Sequence, residues 1–296
     1  MFHPEYIVDE RVSWMVLSLN KNAIHMLEQN IDKIDWIYLS SSQNANAIYL
    51  LEQNIEEVDW HVLSSNPNAI PILEKNLDKV DWLWLSENPN AIPLLEQNMW
   101  KTQWSYLSKN PNAIHLLEQN IQKINWKYLS ENPNAIHLLE QNLDKVHWWS
   151  LSNNPNAIHL LEQHLDKVDW CQLSGNPNAI PLLEKNMEKI DWYYLSRNPN
   201  AIHILEQNIE KIDWEHLSEN PNAIHLLEKN IEKINWRHLS INPNAISLLA
   251  RLNTEKMREN CKPFAEELAS YVFHPVRLMR ICKAYGLELE EYFECV

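Results

Sequence analysis

Glycine is almost absent from this chain of 296 residues, which contains only Gly175 and Gly286. Phosphate-binding loops need glycine where the backbone approaches the ligand, so the composition excludes a P-loop and a dinucleotide-binding fingerprint. Cysteine is also scarce, with four residues, Cys171, Cys261, Cys282 and Cys295. Their number and spacing do not form a disulfide framework. We therefore expect a reduced, intracellular protein in the cytoplasm.

Positive charge is in short supply as well, with 25 Lys and Arg against 40 Asp and Glu and a formal net charge of −15. An acidic chain repels both a nucleic-acid backbone and an anionic membrane leaflet, so we expect neither nucleic acid nor membrane as a partner. No long apolar run is present, and residues 1–13 show no signal-peptide pattern.

Tryptophan, by contrast, is frequent and periodic. Eleven tryptophans are spaced by 22 residues with one interval of 24: Trp14, Trp36, Trp60, Trp82, Trp104, Trp126, Trp148, Trp170, Trp192, Trp214 and Trp236. The text between them repeats too, as in W-K-Y-L-S-E-N-P-N-A-I-H-L-L-E-Q-N-L-D-K-V-H from Trp126. Self-similarity at a short fixed period is typical of a solenoid, whose units stack on their neighbours.

Each repeat unit predicts two short helices. A polar residue that can cap a helix stands before most of the tryptophans: Ser13, Asp35, Asp59, Asp81, Asn125, Asp169, Asp191, Asp213 and Asn235. The first helix should begin at Trp, bury Trp and the Leu three places later, and end within about six residues at the Asn-Pro pair. The second should be capped by the second Asn of N-P-N and close on an Asn in the left-handed conformation. Pro71, Pro93 and Pro181 then fall in its first turn.

The predicted fold is all-α, an α-solenoid of about eleven 22-residue two-helix repeats with a helical C-terminal cap. Residues 1–13 are predicted to be an N-terminal cap, 14–250 the repeat solenoid, and 251–296 the C-terminal cap, with helices around 262–272, 275–285 and 288–295. Ten stacking steps of ~8–10 Å would give an open rod or superhelix of ~80–100 Å. Two extra residues within 41–45 predict a bulged loop.

Several residue sets invite a chemical interpretation that the spacing does not support. A histidine recurs eleven places after Trp in six of the eleven units, as at His115 and His137, but metal ligands must converge on one ion. Inter-unit contacts or solvent suit these histidines better. A Cys₃His site from Cys261, His274, Cys282 and Cys295 matches no zinc signature, and Cys–His catalysis lacks an orienting third group. The glutamate ladder predicts inter-unit hydrogen bonds or salt bridges to Lys123, Lys145 and Lys167. We therefore expect no cofactor, no metal and no enzymatic activity.

The two positions after each Trp vary most in an otherwise constant unit. They should point away from the Trp and Leu face and line one continuous surface, and they are rich in the aromatic residues typical of interface hot spots. Unconstrained solvent positions are the alternative. The predicted protein-binding residues are Tyr38, His61, Leu83, Trp84, Tyr106, Lys127, Tyr128, Trp149, Gln172, Tyr193, Tyr194, Glu215, His216, Arg237 and His238.

The repeat string W-x-x-L-S-x-N-P-N-A-I-x-L-L-E-x-N resembles the short helical repeats of proteins encoded by large DNA viruses of amoebae. The string Y-V-F-H-P-V-R-L from Tyr271 is similar to the endings of the same proteins. The resemblance implies a helical repeat protein of viral origin without an assigned activity, located in the host cytoplasm or in the virion.

These features together predict a non-enzymatic scaffold that binds another protein, from the host or the virus, through the variable positions after each Trp. The alternative is a structural component of the virion, either a minor capsid protein or an internal scaffold. A repeat-coded nucleic-acid reader is a third class, which the acidic charge opposes.

Overall fold

The computed structural model of the chain describes residues 6–42 and 45–252. Within these ranges 22 α-helices follow one another in pairs, one pair for each repeat unit. The prediction of an all-α repeat solenoid is therefore confirmed for the described residues. Residues 8–250 form one compact part, and residues 1–7 together with 251–296 form another. The helices predicted around 262–272, 275–285 and 288–295 lie outside the described residues, as does part of the bulged loop predicted within 41–45.

We number the units 1 to 11 from their repeat tryptophans. The first helices have four to six residues and are Trp14–Leu17, Trp36–Ser41, Trp60–Ser64, Trp82–Glu87, Trp104–Leu107, Trp126–Glu131, Trp148–Ser152, Trp170–Gly175, Trp192–Arg197, Trp214–Glu219 and Trp236–Leu239. The second helices have four to seven residues and are Ile24–Glu28, Ala47–Gln53, Ile70–Lys75, Ile92–Gln97, Ile114–Glu118, Ile136–Glu140, Ile158–Gln163, Ile180–Glu184, Ile202–Glu206, Ile224–Lys229 and Ile246–Leu249.

Short linkers join each second helix to the next repeat tryptophan. Seven of them form one 3₁₀ turn: Ile31–Lys33, Met99–Lys101, Ile121–Lys123, Leu143–Lys145, Met187–Lys189, Ile209–Lys211 and Ile231–Lys233. One further 3₁₀ turn, Pro67–Ala69, precedes the second helix of unit 3. The strands Tyr6–Val8 and Ala250–Leu252 pair in a two-stranded sheet.

The residue before Trp caps the first helix, as predicted, in eight of the nine cases. The carboxylate of Asp169, for example, accepts a hydrogen bond of 2.9 Å from the backbone N–H of Gln172. Ser13 is the exception, because its side chain makes no capping bond. His147 caps a helix that the sequence left uncapped, since its Nδ1 accepts from the N–H of Ser150 at 3.3 Å.

The start and end of the second helix differ from the prediction. The predicted cap, the second Asn of N-P-N, instead bonds the neighbouring unit: Nδ2 of Asn134 donates to the carbonyl of Pro111 at 2.9 Å. The first Asn organises the turn, because Oδ1 of Asn132 accepts from the N–H of Asn134 at 3.0 Å. The closing Asn120 is not left-handed, with φ −136° and ψ 45°. Its side chain donates to the carbonyl of Leu116 at 2.9 Å and so satisfies a free group at the helix end.

The core is formed by small and branched apolar residues more than by tryptophan. The Leu three places after each repeat Trp is at most 1% exposed in every unit, and the Ala of N-P-N-A is fully buried. The repeat tryptophans are only half-buried. Their outer faces carry the lysine of the following linker, as where Nζ of Lys145 lies 4.7 Å from the ring centroid of Trp126. Pro71, Pro93 and Pro181 lie in the first turn of their helices, as predicted.

A ladder of buried serines joins each unit to the next. The Ser four places after each repeat Trp is fully buried, and its Oγ accepts from the backbone N–H just before the next Trp at 2.9–3.2 Å. These ten bonds join the eleven units in sequence order. An eleventh bond of the same kind runs from the N–H of Ser13 to Oγ of Ser240, at 3.1 Å. An open stack of eleven units has ten junctions, so the eleventh bond means that the stack is closed.

A second ladder, of buried asparagines, closes in the same way. In the middle of the chain, Nδ2 of Asn132 donates to the carbonyls of Ser108 and Asn110 in the preceding unit, at 3.1 and 2.9 Å. Asn20 of unit 1 makes the equivalent bonds to Ser240 and Asn242 of unit 11, also at 3.1 and 2.9 Å. Unit 11 therefore packs against unit 1 in the same way as each unit packs against the unit that follows it.

Residues 9–13 supply the linker that unit 11 lacks. Arg11 takes the place of a linker lysine, with its guanidinium carbon 3.6 Å from the ring centroid of Trp236. Val12 is buried like the linker residues Ile34 and Ile124. The N–H of Asp9 donates to the carbonyl of Leu249 at 2.9 Å. The amino-terminal segment thus completes the last unit.

Residues 8–250 accordingly form a closed ring of eleven units, and the expectation of an open rod or superhelix is wrong. The physical reason is that a slight rotation between units, repeated eleven times, returns the chain to its start. The two apolar end faces then cover each other and no longer need separate caps.

Candidate interaction surface

The inner side of the ring is formed by the first helices. At eight of the eleven junctions the first helices of neighbouring units pack closely against one another, whereas neighbouring second helices make few contacts. In a ring, the side on which neighbours are closest faces the centre. Eleven helices at a spacing of ~8–10 Å, each 10–12 Å thick with its side chains, leave an opening of roughly 17–25 Å between opposite sides.

The position after each repeat Trp lies on the exposed face of these helices. It is exposed in nine of the eleven units: Ile37, His61, Ser105, Lys127, Trp149, Cys171, Tyr193, Glu215 and Arg237. The Leu and Ser of the same helix point into the body of the ring, so this position points away from it and toward the opening.

The next position, two places after each Trp, forms contacts between units. In units 4 to 6 the rings of Trp84, Tyr106 and Tyr128 at this position follow one another with centroids 5.9 and 5.7 Å apart. His61, which stands one place after Trp60, extends the row into unit 3, with its ring centroid 5.1 Å from that of Trp84. Such spacings are typical of favourable aromatic pairs. All four side chains are partly exposed, so they form a continuous aromatic band along the inner side. We call the two positions together the variable stripe.

A second aromatic cluster lies in units 9 to 11. The ring of Tyr193 lies 3.8 Å from that of His216 and 5.2 Å from that of Tyr194. His216 is buried, and its Nδ1 lies 3.0 Å from the carboxylate of Asp213, so it supports Tyr193 more than it faces the opening. Burial raises the pKa of Asp213, but hydrogen bonds from the His216 backbone and ring outweigh it, and the net pKa is lowered.

Sequence reasoning missed a third inner row, five places after each Trp. Glu87, Lys109 and Glu131 meet there in successive units, with Nζ of Lys109 at 2.9 and 3.8 Å from the two carboxylates. Burial lowers the pKa of Lys109, but the hydrogen bond to Glu87 and both carboxylate charges outweigh it, so the net pKa is raised. Arg197 likewise pairs with Glu219 at 3.0 Å. This row lies four residues after the first position of the variable stripe. Residues four apart share one face of a helix, so the sequence contained a signal for the row.

The remaining predicted residues are placed as follows. Tyr38, Leu83 and Gln172 are half-buried in their helices, and Trp149 is 48% exposed beside His147. His238 is held between Glu215 and Glu219, with its ring nitrogens at 2.8 and 2.6 Å from the carboxylates. In the structure, the aromatic stripe residues of units 3–6 form one cluster and those of units 9–11 form a second. Tyr38, Trp149 and Gln172 lie between the two clusters.

The arc formed by units 11, 1 and 2 differs from the rest. A recess of about 270 Å³ lies there, lined by Leu19, Lys21, Ser41, Ser42, Ile241 and Pro243. Ser42 replaces the ladder asparagine, and its Oγ lies 3.4 Å from the carbonyl of Leu19. The stripe residues of units 1 and 2 are Met15, Val16, Ile37 and Tyr38, so the charged side chains of the stripe lie in units 3 to 11.

The histidine ladder is an inter-unit ladder. Nε2 of His137 lies 2.8 Å from a carboxylate oxygen of Glu118 in the preceding unit, and four further pairs repeat this contact at 2.8–3.0 Å. The predicted inter-unit bonds of the glutamates are therefore present, but their partner is histidine and not lysine, because Lys123, Lys145 and Lys167 lie over tryptophan rings. Among residues 6–42 and 45–252, no three His, Cys, Asp or Glu side chains are grouped to hold a metal ion. Cys261, His274, Cys282 and Cys295 fall outside these ranges.

Cys171 is exposed on the variable stripe and is a free thiol. Its hydrogen bond to the Asp191 carboxylate, with a smaller contribution from burial, raises the pKa of the thiol. A raised pKa disfavours the thiolate, so this residue is a poor nucleophile.

In the described part of the chain, no helix is long and apolar enough to cross a bilayer. The chain matches no protein-family model, no curated protein and no solved structure.

Proposed function

We propose that the ring is a non-enzymatic scaffold that binds another protein through the variable stripe on its inner side. The observation that carries the proposal is that each unit contains one set of residues that hold the ring together and another set that line its inner surface. The residues that hold the ring together, namely the Leu, Ser, Asn and Ala of the repeat, are buried and nearly constant. The residues on the inner surface change from unit to unit while remaining accessible.

The composition of that surface supports protein recognition over other ligands. Tyrosine, tryptophan and arginine dominate binding energy in protein interfaces, because they bury a large area and keep a polar group. Charged pairs such as Lys109 with Glu87 place polar groups beside the aromatic band, as in the polar rim of an interface. An opening of roughly 17–25 Å accommodates a helix of 10–12 Å from a partner protein. The partner is of viral or host origin if the resemblance to amoebal virus proteins holds.

The alternative, a structural component of the virion, draws less support from the ring. A spacer role depends on an extended solenoid with two free ends, and residues 8–250 have none, since unit 1 stacks on unit 11. A virion role would have to use the ring itself as a building block.

The test uses substitutions that occur naturally at equivalent positions, which leave the ring folded. Trp84→Val, Tyr106→Ser and Tyr128→Gln copy Val62, Ser150 and Gln172. A photo-reactive phenylalanine analogue at Lys127, inside the opening, is compared with the same analogue at the outer residue Gln119, both incubated with amoebal lysate. We expect a partner crosslinked only from the inner position.

The triple variant provides the second arm of the experiment. The same crosslink should be lost when the three aromatic residues are replaced, while the melting temperature stays within a few degrees. Equal crosslinking from both positions, or a crosslink that survives the triple substitution, would refute binding at the variable stripe. Recovery of capsid proteins alone would favour the virion role.

A further inference from the structure

Trp100 is the most exposed large apolar side chain among the described residues, at 81%. It is the second residue of the unit 4 linker, and the fold does not require tryptophan there. The same position is polar in the other units: Glu10, Asp32, Glu56, Asp78, Gln122, Asp144, Asp166, Glu188, Glu210 and Glu232. An exposed tryptophan at one of eleven equivalent positions is best explained by a contact outside the ring.

A row of apolar side chains runs past Trp100 along the linkers. The first linker residue is 37–51% exposed in eight units: Ile31, Leu77, Ile121, Leu143, Leu165, Met187, Ile209 and Ile231. The linkers and the N-P-N turns lie at opposite ends of the helices, so these side chains share one face of the ring. We call this face, formed by the first two residues of each linker, the linker face. It is separate from the variable stripe, which lies on the first helices.

The linker face is bordered by carboxylates. The second linker residue is acidic in nine of eleven units, and an exposed or half-exposed Glu near the end of the second helix in ten units adds a second row. The linker lysines are already engaged, because their Nζ atoms lie 4.3–5.0 Å from tryptophan ring centroids. The acidic row is interrupted at two neighbouring units only, by Trp100 and Gln122.

Trp100 is also held in place. Nζ of Lys101 lies 4.3 Å from the ring centroid of Trp82 and 4.9 Å from that of Trp100, so one cation joins the two rings. An aromatic side chain has only two rotatable bonds and so loses little freedom on binding, which suits an interface anchor.

We propose that the linker face, centred on Trp100, docks a basic amphipathic helix of a partner protein. The apolar side of such a helix would cover Trp100, Leu77 and Ile121, and its lysines or arginines would meet the carboxylates on either side. Seven residues of helix advance about 10.5 Å, which is close to the ~8–10 Å step between units, so one apolar residue per heptad meets one linker. A second copy of this chain would bring two acidic faces together and is therefore disfavoured.

The experiment uses a fluorescein-labelled helical peptide of leucine and lysine, with the leucines along one side, and fluorescence anisotropy with the full chain. The control peptide has glutamate in place of every lysine. Trp100→Gln copies the natural residue Gln122 and so preserves the ring. Tyr49→His, which copies His25 and removes an exposed aromatic residue elsewhere, is the matched control variant.

We expect the lysine peptide to bind wild type and the Tyr49→His variant equally, and the Trp100→Gln variant at least about tenfold more weakly. Added salt should weaken binding, and the glutamate peptide should not bind. Absence of binding to wild type, equal binding to the Trp100→Gln variant, or binding of both peptides would overturn the proposal. Concentration-dependent dimerisation that Trp100→Gln abolishes, without peptide binding, would also overturn it and make the face a self-association site. None of these outcomes bears on the variable stripe.

Discussion

Asn20 offers a quantitative test of ring closure, because it makes its ladder bonds across the junction of units 11 and 1. Its Nδ2 donates to the carbonyls of Ser240 and Asn242 at 3.1 and 2.9 Å, and its Oδ1 accepts from the N–H of Asn22 at 3.0 Å. The side chain is 1% exposed. Replacement by alanine removes three hydrogen bonds in a buried place. At about 1 kcal/mol for each bond, and more where a buried carbonyl loses its partner, we expect the free energy of unfolding to fall by about 3–5 kcal/mol.

Asn132 is the matched control, since it makes the same three bonds in the middle of the chain at the same distances of 3.1, 2.9 and 3.0 Å. In a closed ring, Asn20→Ala and Asn132→Ala should cost the same. In an open stack, Asn20 would keep only its bond with Asn22, and its replacement would cost about 1 kcal/mol.

Urea unfolding followed by tryptophan fluorescence measures both variants against wild type, and the slope with urea shows whether the ring unfolds as one unit. A cost for Asn20→Ala below half of that for Asn132→Ala would refute closure.

The remaining predictions concern the core and the tryptophan faces. Leu129→Ala should lower the free energy of unfolding by about 3–5 kcal/mol, more than Trp126→Ala at about 2–3 kcal/mol, because the leucine is fully buried and the tryptophan half-buried; the reverse order in urea unfolding would contradict this. Glu57→Lys should stabilise the ring by about 0.5–1 kcal/mol, since Glu57 occupies a linker-lysine position and the new ammonium can cover Trp36; an unchanged melting temperature would contradict it. The hydrogen bond from Arg11 lowers the pKa of Asp9 from 3.8 to about 2. A depressed pKa contributes stability above pH 3.8 that is lost as the pH falls toward 2. The melting-temperature advantage of wild type over Asp9→Asn should therefore shrink across that range, and a constant difference would count against the pair.

The local structure of a unit was readable from the sequence because it depends on short-range chemistry. Aspartate before Trp caps a helix, Asn-Pro ends it, and proline at Pro71 marks a first turn, and all three hold in the structure. The errors arose where a polar side chain had two possible partners. Asn134 could cap its own helix or bond Pro111 of the preceding unit, and the choice depends on packing between units, which the sequence of one unit does not contain.

Ring closure was not predicted from the sequence, and the reason is again that it depends on packing between units. The rotation between neighbouring units is a property of packing, and an error of a few degrees separates a ring from a superhelix. One clue was present in the sequence, because residues 9–14, D-E-R-V-S-W, match the linker text I-D-K-I-D-W at 31–36. The text after Leu249 does not match a linker, and residues 9–13 supply the one that unit 11 lacks.

The candidate surface was predictable in part. Variation at the two positions after Trp indicated the first helices, where the first of these positions is exposed in nine of the eleven units. The charged row at Glu87 and Lys109 was missed because only positions next to Trp were compared. Trp100 was not identified because it belongs neither to the repeat tryptophans, which are spaced by 22 residues, nor to the variable stripe.

The most direct test of the ring is a crosslink between its first and last units. Nδ2 of Asn22 donates to the carbonyl of Pro243 at 2.7 Å, which places Asn22 beside Asn244. Cysteines at these two exposed positions, treated with a short bis-maleimide and analysed by peptide mass spectrometry, should be joined within one chain as readily as cysteines at Asn112 and Asn134 of neighbouring units. Cysteines at Asn22 and Asn134 should remain unlinked. Efficient linkage of the Asn112 and Asn134 pair without linkage of the Asn22 and Asn244 pair would show an open stack and contradict the ring.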